Sequence, residues 1–446
     1  MRVLRSPLAI SSLAVALSIA AALDAQATTA AKATDPYMAR ALRVLKTSPV
    51  FDGHNDLPWR IREDSAHPRD VTGYDLRQRT PGMTDLPRMK AGHLGAQFWS
   101  IYIPGEPDDE SYAPNGQVSS TPGYARVQLE QIDIARRMIA KYPELQWALT
   151  AKEVRANFRR GTVGSLLGLE GGHAIENSLA LLRTYYDMGA RYMTLTHNVT
   201  LDWADAALDS AKHGGLTPFG KEVVREMNRL GMLVDLSHVS PGTMSAALST
   251  SEAPVIFSHS GARALVDHRR NVPDSILARV PKNGGVVMVP FVTSFVSATV
   301  KAYGDSIDAV ASAARQRHPG RTAADTAAVR AELAGWRTAH PKPNATIADV
   351  ADHIDHVRKI AGVDHVGIGS DLDGITDNVV GLEDVSKFPS LFAELARRGW
   401  TDAELAKLAD GNILRVLAEA ERVSARLKKE RGPSQATIAM DKGPRT

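Results

Sequence analysis

The chain contains no cysteine among its 446 residues. Disulfides, thiolate metal ligands and a cysteine nucleophile are all excluded by that absence. Any metal must be held by His, Asp and Glu, a donor set that suits zinc, manganese or cobalt rather than copper(I) or an iron–sulfur cluster. Charge of one sign is also lacking: 53 Lys and Arg stand against 50 Asp and Glu, a formal charge of +3, with the signs mixed along the chain. Without a long basic or acidic block, nothing marks a nucleic-acid footprint. The closing stretch, KKERGPSQATIAMDKGPRT, has no hydrophobic tail that could direct a glycolipid anchor. Its polarity predicts a disordered tail over 426–446.

The N-terminus carries an apolar stretch, LAISSLAVALSIAAAL, after Arg2 and Arg5 and before Asp24-Ala25-Gln26-Ala27. A charged start, an apolar core and small residues form the layout of a secretory signal. This predicts a signal over 1–27, cut near Ala25 or Ala27, and a secreted or periplasmic protein with no membrane anchor in its mature form. An uncleaved anchor is the alternative, and the small-residue site argues against it. No cysteine follows the apolar core, which excludes a bacterial lipid anchor there.

What the sequence has is a series of short apolar runs that end in polar residues. VFDGHND ends in His54 and Asp56, VGSLLGLEGG in Glu170, RYMTLTHN in His197, GMLVDLSHVS in His238, APVIFSHSG in His259 and HVGIGSDLDG in Asp371. Short runs rich in Val, Ile and Leu read as buried parallel strands. Eight candidates lie near 50–55, 95–103, 163–169, 192–197, 232–238, 254–259, 284–290 and 365–371. Helix-like stretches fall between most of them, such as TPFGKEVVREMNRLG, with Pro218 near its start and Gly231 at its stop. Alternating β and α units in that number predict an α/β chain folded as a (β/α)8 TIM-type barrel, with its active site at the carboxyl ends of the strands. The barrel domain is expected over 40–425. Residues 60–92 read as a loop over the barrel mouth, and Ala-rich residues 300–345 as a helical insertion after the seventh predicted strand.

The strand-end residues suit metal chemistry. His54 and Asp56, two apart, project to the same side of a strand and can grip one ion. Glu170 has two oxygens and can bridge two ions, while His238 and His259 can complete the second. Two ions about 3.5–4 Å apart can hold a hydroxide that is nucleophilic near neutral pH. Asp371 then stands where a proton must be taken up and handed on. His197 can steady negative charge on an attacked carbonyl oxygen. Taken singly, each residue has a plainer role: a His after an apolar run is more often a packing residue than a ligand, and Asp56, Glu170 and Asp371 could be helix caps. Six or seven such residues at successive strand ends outweigh that explanation. His353 and His356, three apart on a predicted helix, read as a surface or packing face, and His173 as a neighbour of the site.

At these residues the chain resembles the membrane dipeptidase (renal dipeptidase) family of zinc peptidases. The stretches that carry the likeness include FDGHNDLPW, GAQFWSIYIP, LEGGHAIENSLALLRTYYDMGARYMTLTHN, GLTPFGKEVVREMNRLGMLVDLSHVS, PVIFSHSGARAL, RRNVPD and HVGIGSDLDGI, in the family's order from about 45 to about 420. The resemblance implies two Zn2+ per chain. His54 and Asp56 match the ligands of one, His238 and His259 those of the other, and Glu170 the bridging carboxylate. It further implies Asp371 as catalytic acid/base, His197 as a substrate contact and Arg270 as the receiver of the substrate's terminal carboxylate. The implied substrates are small dipeptides, including those with a C-terminal D-residue, and in some members carbapenem-type β-lactams. A glycolipid anchor and a disulfide-linked dimer do not carry over, because the cysteines and the anchor signal are missing; a non-covalent homodimer is left open. MVPFVTSFVS stands where the resemblance leads one to expect a more polar, aromatic segment, and 300–345 is longer than usual, so side-chain preference does not carry over either. Two other readings fit the same barrel. One is another metal amidohydrolase, such as an N-acyl-amino-acid deacylase or a β-lactam hydrolase. The other is a non-catalytic envelope binding protein, against which an intact Asp371 argues.

Overall fold

The computed structural model describes residues 35–105, 123–320 and 322–442. The predicted signal over 1–27 lies outside them. Among the described residues nine strands form one parallel sheet: β1 (Val50–Asn55), β2 (Leu94–Ser100), β3 (Leu145–Trp147), β4 (Val163–Glu170), β5 (Ala190–Thr194), β6 (Leu233–Asp235), β7 (Ile256–Phe257), β8 (Val286–Val289) and β9 (Val366–Ile368). Eight run in the order β1-β2-β4-β5-β6-β7-β8-β9. A bridge between Asn55 and Leu372 joins the two ends, with the Asp371 N–H donating to the His54 carbonyl at 3.1 Å. This is the (β/α)8 barrel the apolar runs predict. β1, β2 and β4 are buried along their whole length, as strands with helices outside and side chains within must be. Phe51, Phe98, Leu166, Tyr192, Ile256 and Met288 pack there as one buried cluster.

The described residues also form eleven helices of nine or more residues: α1 (Pro36–Thr47), α2 (Tyr124–Lys141), α3 (Ala151–Arg160), α4 (Leu179–Asp187), α5 (Pro218–Leu230), α6 (Pro241–Thr250), α7 (Ala298–Arg317), α8 (Ala323–Ala339), α9 (Ile347–Ala361), α10 (Phe388–Arg397) and α11 (Asn412–Glu430). Local chemistry sets their ends. Thr217 caps α5 by accepting from the Gly220 N–H, Pro218 opens its first turn, and Gly231 stops it with φ 89°. α7 and α8 pack against each other as a hairpin, and no residue of α8 is buried. Among the described residues no helix is long and apolar enough to cross a membrane.

Three features differ from the sequence reading. β3 was not predicted: three residues are too few to show a period, and it pairs only with β4, off the barrel path. The 60–92 segment carries helical turns at Leu57–Arg62 and Leu86–Ala91 as well as loop. The stretch expected to be disordered from 426 continues α11 to Glu430 and then returns along α5. There Ser434 donates its O–H to Glu222 (3.0 Å) and its N–H to Glu226 (3.2 Å), and Asp441 accepts from the Phe219 N–H at 2.8 Å. Polar composition alone does not reveal partners two hundred residues away.

Candidate metal centre

Each barrel strand that bears a candidate delivers it to the same rim. His54 lies on β1 and Asp56 just beyond it, Glu170 ends β4, and His197, His238, His259 and Asp371 follow β5, β6, β7 and β9. Glu170 is the hub. Its Oε2 lies 3.3 Å from His54 Nε2, which is 3.2 Å from Asp56 Oδ2. Its Oε1 lies 3.0 Å from His238 Nε2 and 3.5 Å from His259 Nε2. Asp371 Oδ1 is 3.8 Å from His54 Nε2, and His197 Nε2 is 3.9 Å from Glu170 Oε1. Three donor groups result: His54–Glu170–His259, Glu170–His197–His238 and His54–Asp56–Asp371. These cross the two ligand sets expected from the sequence, and they place His197 and Asp371 within donor range as well.

The residues fit divalent cations. His54 Nδ1 lies 2.7 Å from the Tyr192 hydroxyl, His259 Nδ1 2.8 Å from Ser258 Oγ, and His238 Nδ1 3.2 Å from Asn198 Oδ1. With the outer nitrogen of each ring engaged, Nε2 is left facing the carboxylates, the usual posture of a ligating imidazole. His54 Nε2 is buried without a hydrogen-bond partner. The Nε2 atoms of His238 and His259 stand 2.9 Å apart, a contact between two lone pairs unless a proton or a cation lies between them. Burial first, with Arg270 and neighbouring imidazoles behind it, holds both rings well below the usual histidine range, so they are neutral. Burial opposes charge on Glu170, but His54 and His238 outweigh it and keep the carboxylate ionised. Burial likewise opposes charge on His54, yet Tyr192, Glu170 and Asp56 push it well above its ordinary value. The carboxylates thus favour positive charge at this spot, which a proton on His54 or a bound cation supplies. Burial also raises the Asp371 carboxyl well above its usual range, against the pull of His54.

Two further residues set the rim in place, and the sequence reading missed both. Asp235, fully buried, accepts from the hydroxyls of Thr194 (2.5 Å) and Ser258 (2.6 Å) and from the N–H groups of Ser258 (2.8 Å) and Ser237 (3.1 Å). Ser258 in turn meets His259. Asp52 holds Ser370 in the same way, through its N–H and its hydroxyl, both at 2.7 Å, and Ser370 precedes Asp371. The only local signal is an Asp inside an apolar run and a Ser beside each functional residue. His238 (φ 65°) and Asp371 (φ 64°) are left-handed, a conformation that costs of order 1 kcal/mol or more and that this packing enforces. Asp235→Asn should lower divalent-metal affinity about 10–100-fold, because it loosens the Ser258–His259 contact. Competition with a fluorescent chelator measures this, and an unchanged affinity would remove Asp235 from the account.

A cavity of about 620 Å3 opens over the donors, walled by Trp59, Tyr102, Asp371, Arg270 and Phe295 among others. Arg270 is 2% exposed, and its Nη1 has no hydrogen-bond partner. Burial lowers its pKa to about 10, which leaves it charged at neutral pH. Trp59 and Tyr102 form an aromatic shelf, their ring centroids 4.9 Å apart, and Tyr102 lies 5.0 Å from the His197 ring. Sequence patterning gave no reason to single these two out. His173 turns aside to the Ile103 carbonyl (3.0 Å) and joins no donor group. His353 accepts from the Ala262 N–H, and His356 pairs with Asp274, so both serve packing.

A parallel barrel that gathers imidazoles, carboxylates and a buried arginine at the carboxyl ends of its strands defines a class, the barrel metallohydrolases. The chain can be placed more closely. The family model for membrane dipeptidase (peptidase family M19) matches residues 38–431, and the chain belongs to that family. Its fold is similar to the solved structure of the probable dipeptidase PvdM from Pseudomonas aeruginosa, at 26% identity and TM-score 0.72, over 87% of this chain and 99% of that one. It is also similar to a metallo peptidase from Rhodobacter sphaeroides solved with a phosphinate mimic of the dipeptide L-Ala-D-Ala. There the identity is 27% and the TM-score 0.66, over 84% of this chain and 99% of the other. Family and neighbours support a metallo-dipeptidase.

Proposed function

We propose that the protein is a two-zinc dipeptidase that hydrolyses the single peptide bond of dipeptides, including those with a C-terminal D-residue. The observation that carries this reading is the division of Glu170: one oxygen faces His54 and the other faces His238 and His259. His54 and Asp56 would hold one ion, His238 and His259 the other, with Glu170 shared. Bound zinc would supply a water that ionises near neutral pH and would polarise the scissile carbonyl.

The chain's own residues do the rest. Arg270 receives the free carboxylate, since a guanidinium fork matches a carboxylate in two places and Nη1 is unpartnered in the cavity wall. Fixing the chain end in this way favours short substrates, with their one peptide bond over the donors. Asp371 takes the proton of the attacking water and returns it to the leaving amine; its raised pKa suits a group that must hold a proton and then release it. His197, in the cavity wall with its Nε2 3.9 Å from Glu170 Oε1, donates toward charge developing on the carbonyl oxygen. The D-residue tolerance draws support from the L-Ala-D-Ala mimic in the Rhodobacter neighbour. With the secretory signal that the sequence predicts over 1–27, salvage of D-residue dipeptides from cell-wall turnover is a coherent role.

The test is hydrolysis of L-L and L-D dipeptides by purified protein, with chelator and with zinc restored. Cleavage abolished by the chelator and recovered with zinc is the expected result. Cleavage of L-L but not L-D members would end the cell-wall role, and no cleavage by folded, zinc-loaded protein would end the dipeptidase reading. Arg270→Met should reduce kcat/KM for free dipeptides about 100-fold, the cost of truncating one side of a buried charge pair at about 3 kcal/mol. Dipeptide amides, which lack the carboxylate, should lose far less. Equal losses on both would show that Arg270 does not bind the carboxylate.

A further inference from the structure

We infer that the substrate's C-terminal residue is bulky and apolar, selected by Phe295 and Leu208. The inference rests on the dipeptidase reading and sharpens it to a substrate class. In a bound dipeptide the last Cβ is two bonds from the carboxylate carbon. Whatever stands beside Arg270 therefore meets the start of that side chain. Phe295 stands there: its ring centroid is 5.3 Å from the Arg270 guanidinium carbon, and it shares the cavity wall with Leu208. The ring is backed by His268, with centroids 4.4 Å apart and planes 29° apart, so its position is fixed from behind. Burial, helped by Arg270, lowers His268 to about 4, and the backing is therefore uncharged. Leu208 is 41% exposed at the rim, and Arg269 anchors its backbone through the carbonyls of Leu208 (3.5 Å) and Asp209 (3.2 Å).

Besides the donor cluster and Arg270, the charged residues that line the cavity are Arg60, Glu63 and Asp373. Arg60 and Asp373 both border Gly82, and Asp373 accepts from the Met83 N–H, on the side of the 60–92 segment. Asp56, Glu170 and Asp371 belong to the donor cluster. Arg269 is bound to backbone outside the cavity wall. Beside Arg270 and Phe295, a lysine side chain meets a like charge. An acidic one offers Arg270 a second carboxylate and shifts the peptide bond off the donors. An apolar one covers Phe295 and Leu208 and leaves the register intact. Phe295 comes from the segment MVPFVTSFVS, and Leu208 from the stretch after β5.

The experiment uses an Ala-Xaa series with Xaa as Gly, Asp, Lys, Leu and Phe, the zinc-loaded protein, and the variants Phe295→Ser and Leu208→Asp. We expect kcat/KM for Ala-Leu and Ala-Phe to exceed that for Ala-Gly, Ala-Asp and Ala-Lys by about tenfold or more, the usual yield of an apolar pocket. Phe295→Ser should cut the Ala-Phe to Ala-Gly ratio by a similar factor. Leu208→Asp, at an exposed position that tolerates change, should move preference from Ala-Leu toward Ala-Lys and carries the test if Phe295→Ser does not fold. Calorimetric Kd values for intact Ala-Phe and Ala-Gly on the Asp371→Asn protein should differ in the same sense. Hydrolysis with a flat profile, or with a preference for Gly, Asp or Lys, overturns the inference and leaves the dipeptidase reading standing. Failure to cleave any member overturns both.

Discussion

Asp371→Asn should lower kcat about 1000-fold while zinc content and folding stay as in the unaltered protein. The magnitude is that of general acid–base catalysis, about 100- to 10,000-fold. The variant suits the question because Asn matches the shape of Asp and accepts the left-handed φ of 64° that position 371 requires. An Ala there would strain the backbone and confuse two effects. The Asp371 N–H to His54 carbonyl bond, which helps close the barrel, is also retained by Asn. What the variant loses is a carboxyl that burial has raised well above its ordinary range. Asp371 also belongs to a donor group with His54 and Asp56. Metal analysis therefore separates two roles: activity lost with zinc retained fits the proton carrier, whereas zinc lost together with activity makes Asp371 a ligand and removes its proton role.

Much of this site could be read from the chain because parallel strands buried on both faces leave continuous apolar runs, and a polar residue at the end of each run has few other reasons to be there. The strands at 50–55 and 163–170 were legible for that reason. The ends of β6, β7 and β9 were placed too far along, since the chain leaves extended geometry at the residues of the donor cluster, His238 and Asp371 among them. The supporting contacts were not legible at all. Ser370 lies 318 positions from Asp52, and Ser258 lies 23 from Asp235. Only closure of the barrel brings such partners together, and no local period encodes it. The bridging position of Glu170 was expected from the sequence, but not the crossed groups, His54–Glu170–His259 among them. A sequence yields ligands strand by strand, while the distances show Glu170 shared among all of the inward-facing imidazoles.

That sharing gives the second large effect. Glu170→Gln should abolish measurable dipeptidase activity and remove the rise in Tm expected when zinc is added to the unaltered protein. An ion bound only by the folded state stabilises it by RT ln(1 + [L]/Kd), about 2.7 kcal/mol at a hundredfold excess over Kd. A variant that no longer binds the ions loses that whole term. Gln fills the same space and can still accept from the Ser100 hydroxyl, 3.0 Å from Glu170 Oε2, so packing is not the cause. The lost charge is the cause: the donors then keep two carboxylates where the site was built around three, and no single group faces both sets of rings. In metal-free protein the sign is the same. His54 and His238 hold Glu170 well below the usual carboxylate range, so its contribution is present above the unfolded pKa and is lost as pH falls through the folded one. At neutral pH the Gln variant should therefore unfold at a lower temperature than the unaltered protein even with chelator present. Asp371→Asn is the control, since it should keep the zinc-induced shift in Tm while losing turnover. If Glu170→Gln keeps both the shift and full zinc content, the bridging role fails and the two ions, if bound, are held separately.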